Sequence, residues 1–166
     1  INCSGSANVS LSFQDPLNDY TLNTFNVFKI VDTIRKISPD CKFINLSSAA
    51  VYGNPTKLPI NEANNCNPIS PYGKHKLQAE EICTEFNQLF SLKTCSLRLF
   101  SAYGEGQKKQ LMWDVYHKFL NDSKIELFGT GNETRDFIHI EDIVQAIDCV
   151  IRNAAFSGEV INLANG

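Results

Sequence analysis

Short apolar runs alternating with helical stretches of ten to twenty residues set the tightest limit on how this chain can fold. Lys42-Phe43-Ile44-Asn45-Leu46, Thr94 to Phe100, Ile125 to Phe128 and Gly158 to Leu163 are too short to be helices and are expected as strands. Ile1-Asn2-Cys3 reads as the end of another. Helical patterns lie between them. One opens at Asp15-Pro16, spreads Leu22, Phe25, Val27, Phe28, Ile30, Val31 and Ile34 over a broad apolar face, and ends near Ile37, before Pro39. A second fits Pro71 to Phe90, with Ser70 as N-cap and Pro71 at the first helical position. Others fit Gln110 to Leu120 and Glu141 to Asn153, the last entered through Phe137-Ile138-His139-Ile140. Strands that alternate with helices must be joined by crossovers and so run parallel, which makes this an α/β domain.

In such sheets ligands bind beyond the carboxyl ends of the strands. That rule singles out Ser4-Gly5, Ser47-Ser48 and Phe100-Ser101. Val51 to Ile69, rich in Asn, Pro and Gly, is expected to be a long loop, and a loop of that length in a compact domain is usually functional. With 166 residues, 43% hydrophobic and 20% charged, the chain suits one soluble globular domain. A formal charge of −3 and a pI near 5.6 give no general attraction to nucleic acid or anionic membrane. No apolar run is long enough to span a bilayer, and no signal peptide opens the sequence. Six cysteines are scattered without a CxxC pair, which fits neither a zinc site nor a disulfide framework. Reduced thiols in a cytoplasmic protein are expected, with no metal.

SPYGKHK, residues 70–76, places Tyr72 and Lys76 one helical turn apart on the same face. An ammonium beside a phenol favours the phenolate. A serine hydroxyl at the mouth of the sheet, Ser47 or Ser48, can hold both the phenol and a substrate oxygen. Such a group could take a proton from an alcohol while its carbon gives hydride to a nicotinamide. The plainer alternative is a serine cap and a solvated lysine. His75 and His117 are expected at the surface, and His139 as a strand residue without a chemical role. Asp142 suits the first turn of its helix, where the dipole favours a carboxylate.

The segments LSSAAVYG, NPISPYGKHKLQAEE, SLRLFSAYGEGQ and FGTGNETRDFIHIEDIVQAI follow one another in that order. Together they resemble the extended short-chain dehydrogenase/reductase family, in its NAD-dependent nucleotide-sugar epimerase/dehydratase branch (UDP-glucose 4-epimerase-like). SGSANVSLSFQDPLNDYTLN is similar to the segment after that family's fourth strand, and GEVINLANG to the strand after the substrate-domain helix. The resemblance spans essentially the whole chain. It implies a Rossmann-like doubly wound parallel sheet lacking its N-terminal part, joined to part of a small C-terminal substrate domain. Residues 1–103 would be the C-terminal part of the NAD(P)-binding domain. Residues 104–166 would be a nucleotide-sugar-binding region interleaved with the last Rossmann elements, with both ends truncated.

The resemblance also implies roles. Ser48 matches the catalytic serine, Tyr72 the general acid/base, and Lys76 the lysine that binds the nicotinamide ribose and lowers the tyrosine pKa. Cys3, Ser4 and Gly5 match the turn that lies along the cofactor, with Ser47 beside it. Asn23 matches a helix position supporting the site, or else satisfies a buried backbone group. Phe100 falls where the backbone approaches the nicotinamide amide. Arg135 matches an arginine that grips the nucleotide diphosphate, the alternative being an ion pair with Asp136 or Glu133. Phe128 lies near the nucleotide base or is core packing. Ser101 stands where many relatives carry an asparagine that contacts the sugar nucleotide. No Gly-rich dinucleotide loop is present, so a fragment of a protein about twice as long is expected, binding NAD poorly or not at all. Ala49 and Ala50 stand where sugar dehydratases place an acid and a base, which argues against dehydration. The expected activity is NAD-dependent epimerisation of a nucleotide sugar, at C4, through a keto-sugar. The alternatives are an NADP-dependent reductase of a keto-sugar nucleotide and a non-catalytic binding member of the fold. Relatives pair the helices matching 16–37 and 71–90 across a two-fold axis, so a homodimer is expected.

Overall fold

The structure is a computed structural model and describes residues 1–121, 125–127, 130, 131 and 133–166. Its helices are α1 (Val9–Gln14), α2 (Pro16–Tyr20), α3 (Asn26–Ile37), α4 (Pro71–Phe90), α5 (Leu111–Asn121) and α6 (Ile140–Asn153). Its strands are β1 (Phe43–Ser48), β2 (Thr94–Leu99), β3 (Ser101–Tyr103), β4 (Phe137–His139) and β5 (Ser157–Leu163). The main sheet runs β1-β2-β5, all parallel, and β3 and β4 form a second parallel pair. Asn2 adds a parallel bridge to Asn45 on the free side of β1, so Ile1–Cys3 does follow a strand path.

Successive residues of a strand point to opposite faces, and both faces of this sheet are covered. Phe43 packs with Val27, Val31, Ala79, Cys83 and Phe86 on the inner surfaces of α3 and α4, and with Leu92 just after α4. Its neighbour Ile44 packs on the other side with Cys95, Leu97, Ile138, Ile143, Val150, Phe156 and Leu163. This is the α/β sandwich the alternation demands.

Local signals set the ends of α4 as expected. Ser70 is in extended conformation, and its hydroxyl accepts from Gly73 N at 3.1 Å. At the far end Ser91 adopts a left-handed conformation with φ 56° and closes the last turn onto Asn87 and Phe86.

Four features differ from the sequence-based expectation. The helix from Pro16 to Ile37 is interrupted by a π-helical turn at Thr21–Phe25, which turns Asn23 and Thr24 into the interior. Helix α1 precedes it unannounced, capped by the Asn8 side chain. Ile125–Leu127 forms no strand; the Glu126 carbonyl accepts from the Lys118 ammonium at 2.7 Å, and Leu127 is exposed. Phe128 lies outside the described residues. Finally, the chain leaves the main sheet at Phe100, whose N–H bonds Leu163 O, and starts β3.

Candidate active site

The carboxyl end of β1 meets the amino end of α4, and the residues expected to act together meet there. Ser48, the last residue of β1, caps a 3-10 turn at Ala49–Tyr52, its Oγ accepting from Ala50 N at 3.2 Å. Tyr72 and Lys76 are both buried on the inner side of α4. The Lys76 ammonium donates to Leu46 O on β1 at 3.0 Å and lies 5.9 Å from the centre of the Tyr72 ring. Gly73 lets this helix approach so closely: a Cβ there would fall 2.6 Å from Ala50 O and 2.9 Å from Pro68 Cβ.

Loss of solvent dominates the proton affinities of both groups. Burial pushes the Tyr72 phenol above its ordinary value, opposed by hydrogen bonding with Ser48 and reinforced by the Asp19 carboxylate. Lys76 is shifted down, also by burial, against the pull of Asp19 and Glu80.

The turn after Asn2 packs against the same two helices. Ser4 donates from its backbone N and its hydroxyl to Asn2 Oδ1, at 3.1 and 2.6 Å, while Cys3 is exposed. Gly5 has φ 127°, open to glycine but not to L side chains, and a Cβ there would fall 2.7 Å from Asn23 Oδ1 and 3.5 Å from Lys76 Nζ. Asn23 satisfies a backbone group, accepting from Ser6 N at 3.2 Å, and donates to Asp19 Oδ1 at 3.1 Å. Asp19 Oδ2 lies 2.6 Å from His75 Nδ1, with both side chains largely buried. His75 is therefore no surface residue, contrary to expectation: it sits between Tyr72 and Lys76 and ties α4 to α2.

Further partners were not singled out from the sequence. Ser12 on α1 is fully buried, and its hydroxyl accepts from Tyr72 N at 3.1 Å. Arg98 on β2 sends Nε and Nη2 to the Glu80 carboxylate, at 3.0 and 2.7 Å for the nearer contacts, and Nη1 to the Tyr52 hydroxyl at 2.7 Å. Glu80 also accepts from the Ser47 hydroxyl. The Tyr52 hydroxyl donates onward to Asn162 Oδ1 at 2.8 Å, and Asn162 donates from its backbone N to the Glu62 carboxylate and from Nδ2 to Ile60 O, pinning the long loop to β5. A charged residue inside a strand buried on both faces was the signal that could have found this pair.

The remaining expected residues lie outside the cluster. Phe100 is half-buried at the end of β2, its ring 6.5 Å from that of Tyr52. Ser101 N bonds Asp136 O. Arg135 is exposed just before β4. The carboxylates offered as its alternative partners are engaged elsewhere. Glu133 accepts from the backbone of Thr130 and Gly131, and Asp136 from Asn165 N and Gly166 N. No helix among the described residues is long and apolar enough to cross a membrane.

Residues 1–164 match the model of the NAD dependent epimerase/dehydratase family. A Methanocaldococcus jannaschii protein provisionally named UDP-glucose 4-epimerase is 33% identical over 164 residues, covering 96% of this chain and 52% of that protein. The crystal structure of UDP-glucuronic acid 4-epimerase from Bacillus cereus, in complex with UDP-glucuronic acid and NAD, is similar with a TM-score of 0.92 at 27% identity. That match covers 100% of this chain and 53% of the other. UDP-N-acetylglucosamine 4-epimerase from Methanobrevibacter ruminantium M1 matches with a TM-score of 0.88 at 27% identity, over 98% of this chain and 53% of the other. The chain thus spans about half the length of these relatives.

Proposed function

The chain belongs to the NAD dependent epimerase/dehydratase family, and from that premise we propose that it carries the proton-transfer centre of a nucleotide-sugar 4-epimerase. The observation that supports this most is the meeting of half-buried Ser48 with buried Tyr72 and Lys76 at the carboxyl end of a parallel strand. Tyr72 takes the proton from the sugar hydroxyl at C4 and returns it after the keto-sugar has turned over. Ser48 holds the phenol and the sugar oxygen in line. Lys76 offers its ammonium to the ribose hydroxyls of the cofactor and supplies positive charge beside the phenol. Its burial matters here: a new acceptor at Nζ would find a donor without competing water.

The residues fit a dinucleotide. Gly5 leaves free the space a Cβ would fill above Asn23 and Lys76, and Cys3, Ser4, Ser47, Tyr72, Lys76 and Phe100 border the same end of the sheet. When bound, NAD would accept hydride from the sugar carbon and give it back to the other face. Residues 1–103 would form the cofactor-binding part and 104–166 the sugar-nucleotide part, with Arg135 on the diphosphate, Ser101 near the sugar and Phe128 near the base. The exposed guanidinium of Arg135, free of the two nearby carboxylates, suits that role. Ala49 and Ala50, in the turn next to Ser48, can transfer no proton, which favours epimerisation over elimination of water.

The outer surfaces of α1 to α4 expose Phe13, Leu17, Phe25, Phe28, Leu89 and Phe90. We assign them to an isologous dimer through the helices at 16–37 and 71–90. Light scattering at micromolar concentration checks this, and a monodisperse monomer refutes it.

The activity is tested by screening the intact protein with NAD against UDP-, GDP- and dTDP-sugars, with Tyr72→Phe as control. Interconversion of C4 epimers that falls on the order of a thousandfold in the control supports the proposal. Turnover retained by Tyr72→Phe refutes it. Net reduction of a keto-sugar by NADPH, without epimerisation, selects the reductase alternative.

A further inference from the structure

Taking Ser48, Tyr72 and Lys76 as the catalytic residues, we propose that Glu80 and Arg98 are a positioning pair that holds Ser48 against Tyr72 by gripping the chain on both sides of the serine. Glu80 lies one turn beyond Lys76 and two beyond Tyr72, on the same side of α4. Its carboxylate accepts from the hydroxyl of Ser47, the residue before Ser48. Arg98 is the β2 residue paired with Ser47 in the sheet, and it is bound to the same carboxylate through two nitrogens. The third arm of its guanidinium reaches the hydroxyl of Tyr52, the last residue of the turn that Ser48 begins. The residue before the serine and the end of the turn after it are therefore fixed to one ion pair. That pair is anchored on the helix carrying Tyr72 and Lys76.

Stability alone does not account for such a pair. Its side chains are only 6% and 4% exposed. Taking two charges out of water at such a site costs about as much as their attraction returns, and apolar side chains of similar volume would do as well or better. What the pair supplies and apolar groups cannot is direction. A planar fork with three fixed donor arms sets the position of Glu80 and Tyr52 together, and through them the 3-10 turn. The guanidinium also lies over the Tyr52 ring, 4.7 Å from its centre, so the turn is held from its face as well as its edge. Ser48 then has one place to stand. Its Oγ is already committed to Ala50 N, and small movements of the turn move it directly.

The test uses the intact protein and three variants, E80M/R98M, Glu80→Gln and Tyr52→Phe. Each is read in three ways: melting temperature, kcat and KM for the nucleotide sugar, and titration of the Tyr72 phenol. The titration uses 13C-labelled tyrosine, with the signal assigned by Tyr72→Phe. E80M/R98M keeps the packing without the buried charges and is expected to melt near the wild-type temperature. Its kcat should nevertheless fall roughly tenfold to a hundredfold, the usual effect of an ångström-scale misplacement. KM should change little, because most of the hold on the substrate lies at its nucleotide diphosphate, away from Ser48, and Tyr72 should titrate higher as the Ser48 hydrogen bond is lost. Glu80→Gln and Tyr52→Phe each release one side of the turn and should give smaller changes of the same kind. Should the double variant fail to fold, these two decide. Any folded variant with wild-type kcat and Tyr72 titration overturns the proposal and leaves the pair a structural one. A shifted Tyr72 titration in a protein that epimerises no sugar nucleotide supports the hold on Ser48 and defeats the catalytic assignment. A lowered kcat with an unshifted titration defeats the positioning role alone.

Discussion

Replacing Gly73 by alanine should destabilise this protein, although alanine is the better helix former. Gly73 sits in the first turn of α4 with helical geometry, where Gly→Ala normally gains about 0.5–1 kcal/mol. Here the added Cβ would lie 2.6 Å from Ala50 O and 2.9 Å from Pro68 Cβ, distances that real Cβ contacts essentially never show. The first obstacle is backbone and cannot rotate aside, so the 3-10 turn or the helix must shift. Overpacking of this kind costs about 1–3 kcal/mol. Subtracting the propensity gain leaves a net loss of about 0.5–2 kcal/mol. For a domain of this size that corresponds to a fall in Tm of about 1–8 °C. Urea unfolding followed by circular dichroism measures it, with Lys74→Ala, exposed on the same turn, as control and expected within about 0.5 kcal/mol of wild type. A Gly73→Ala protein as stable as the parent, or more so, would show that α4 does not need its close approach to the turn after Ser48.

On the proposed role, in which one ammonium serves both the cofactor and the phenol, Lys76→Ala in the intact protein should weaken NAD binding and lower turnover roughly a hundredfold; calorimetry and initial rates that both stay put would remove Lys76 from the site. Arg135→Ala should raise KM for the nucleotide sugar roughly tenfold to a hundredfold, the worth of a charge-assisted hydrogen bond, and leave NAD affinity nearly unchanged. Equal losses for both ligands would point to a structural role. Cys83 and Cys95 are buried, and burial pushes both thiols up to about 12, whereas Cys3, Cys41 and Cys149 are exposed. A disulfide reagent at pH 8 should modify the exposed three in the folded protein and reach the other two only in urea. Because these two groups keep their protons when folded and lose them when unfolded above the ordinary thiol value of 9.0, stability should fall as pH rises from 9 towards 12. An unchanged urea midpoint at pH 8 and 10 contradicts that.

What the sequence disclosed was whatever rests on near neighbours along the chain. Ser70 caps Gly73, Asp15 caps Asn18, and Tyr72 and Lys76 share a face by spacing alone. What it hid depends on partners brought together by the fold. Asp19 and His75 are 56 positions apart, and Arg98 and Tyr52 are 46 apart. Nothing local marks either pair. The π-helical turn was hidden because Leu22, Phe25, Val27 and Phe28 satisfy a helical pattern whether or not one residue is inserted. Helix α1 was hidden because Val9, Leu11 and Phe13 alternate with serines, the spacing of a strand. In the fold these three apolar side chains are exposed and Ser12 is the buried residue, since Tyr72 N needs its hydroxyl. β3 was missed because it continues β2 with a single residue between them, and the change of sheet at Phe100 is set by Leu163 and Asp136.

The distribution of buried polar groups bears on whether this is an enzyme or a binding module. The two cores flanking the sheet are apolar. Asp19, Asn23, Ser47, Lys76, Glu80 and Arg98 are nonetheless all at most 8% exposed, and they crowd where β1 ends and α4 begins. Burying such groups is tolerable only when each finds partners, and here each does. Away from this cluster, Asn45 Oδ1 on the same strand is buried without a partner among the described residues. A surface that only binds a ligand has no need to take an ammonium, two carboxylates and a guanidinium out of water beneath it. A centre that must move one proton between fixed atoms does, because in a low-dielectric surrounding the position of each charge sets the phenol's affinity for its proton.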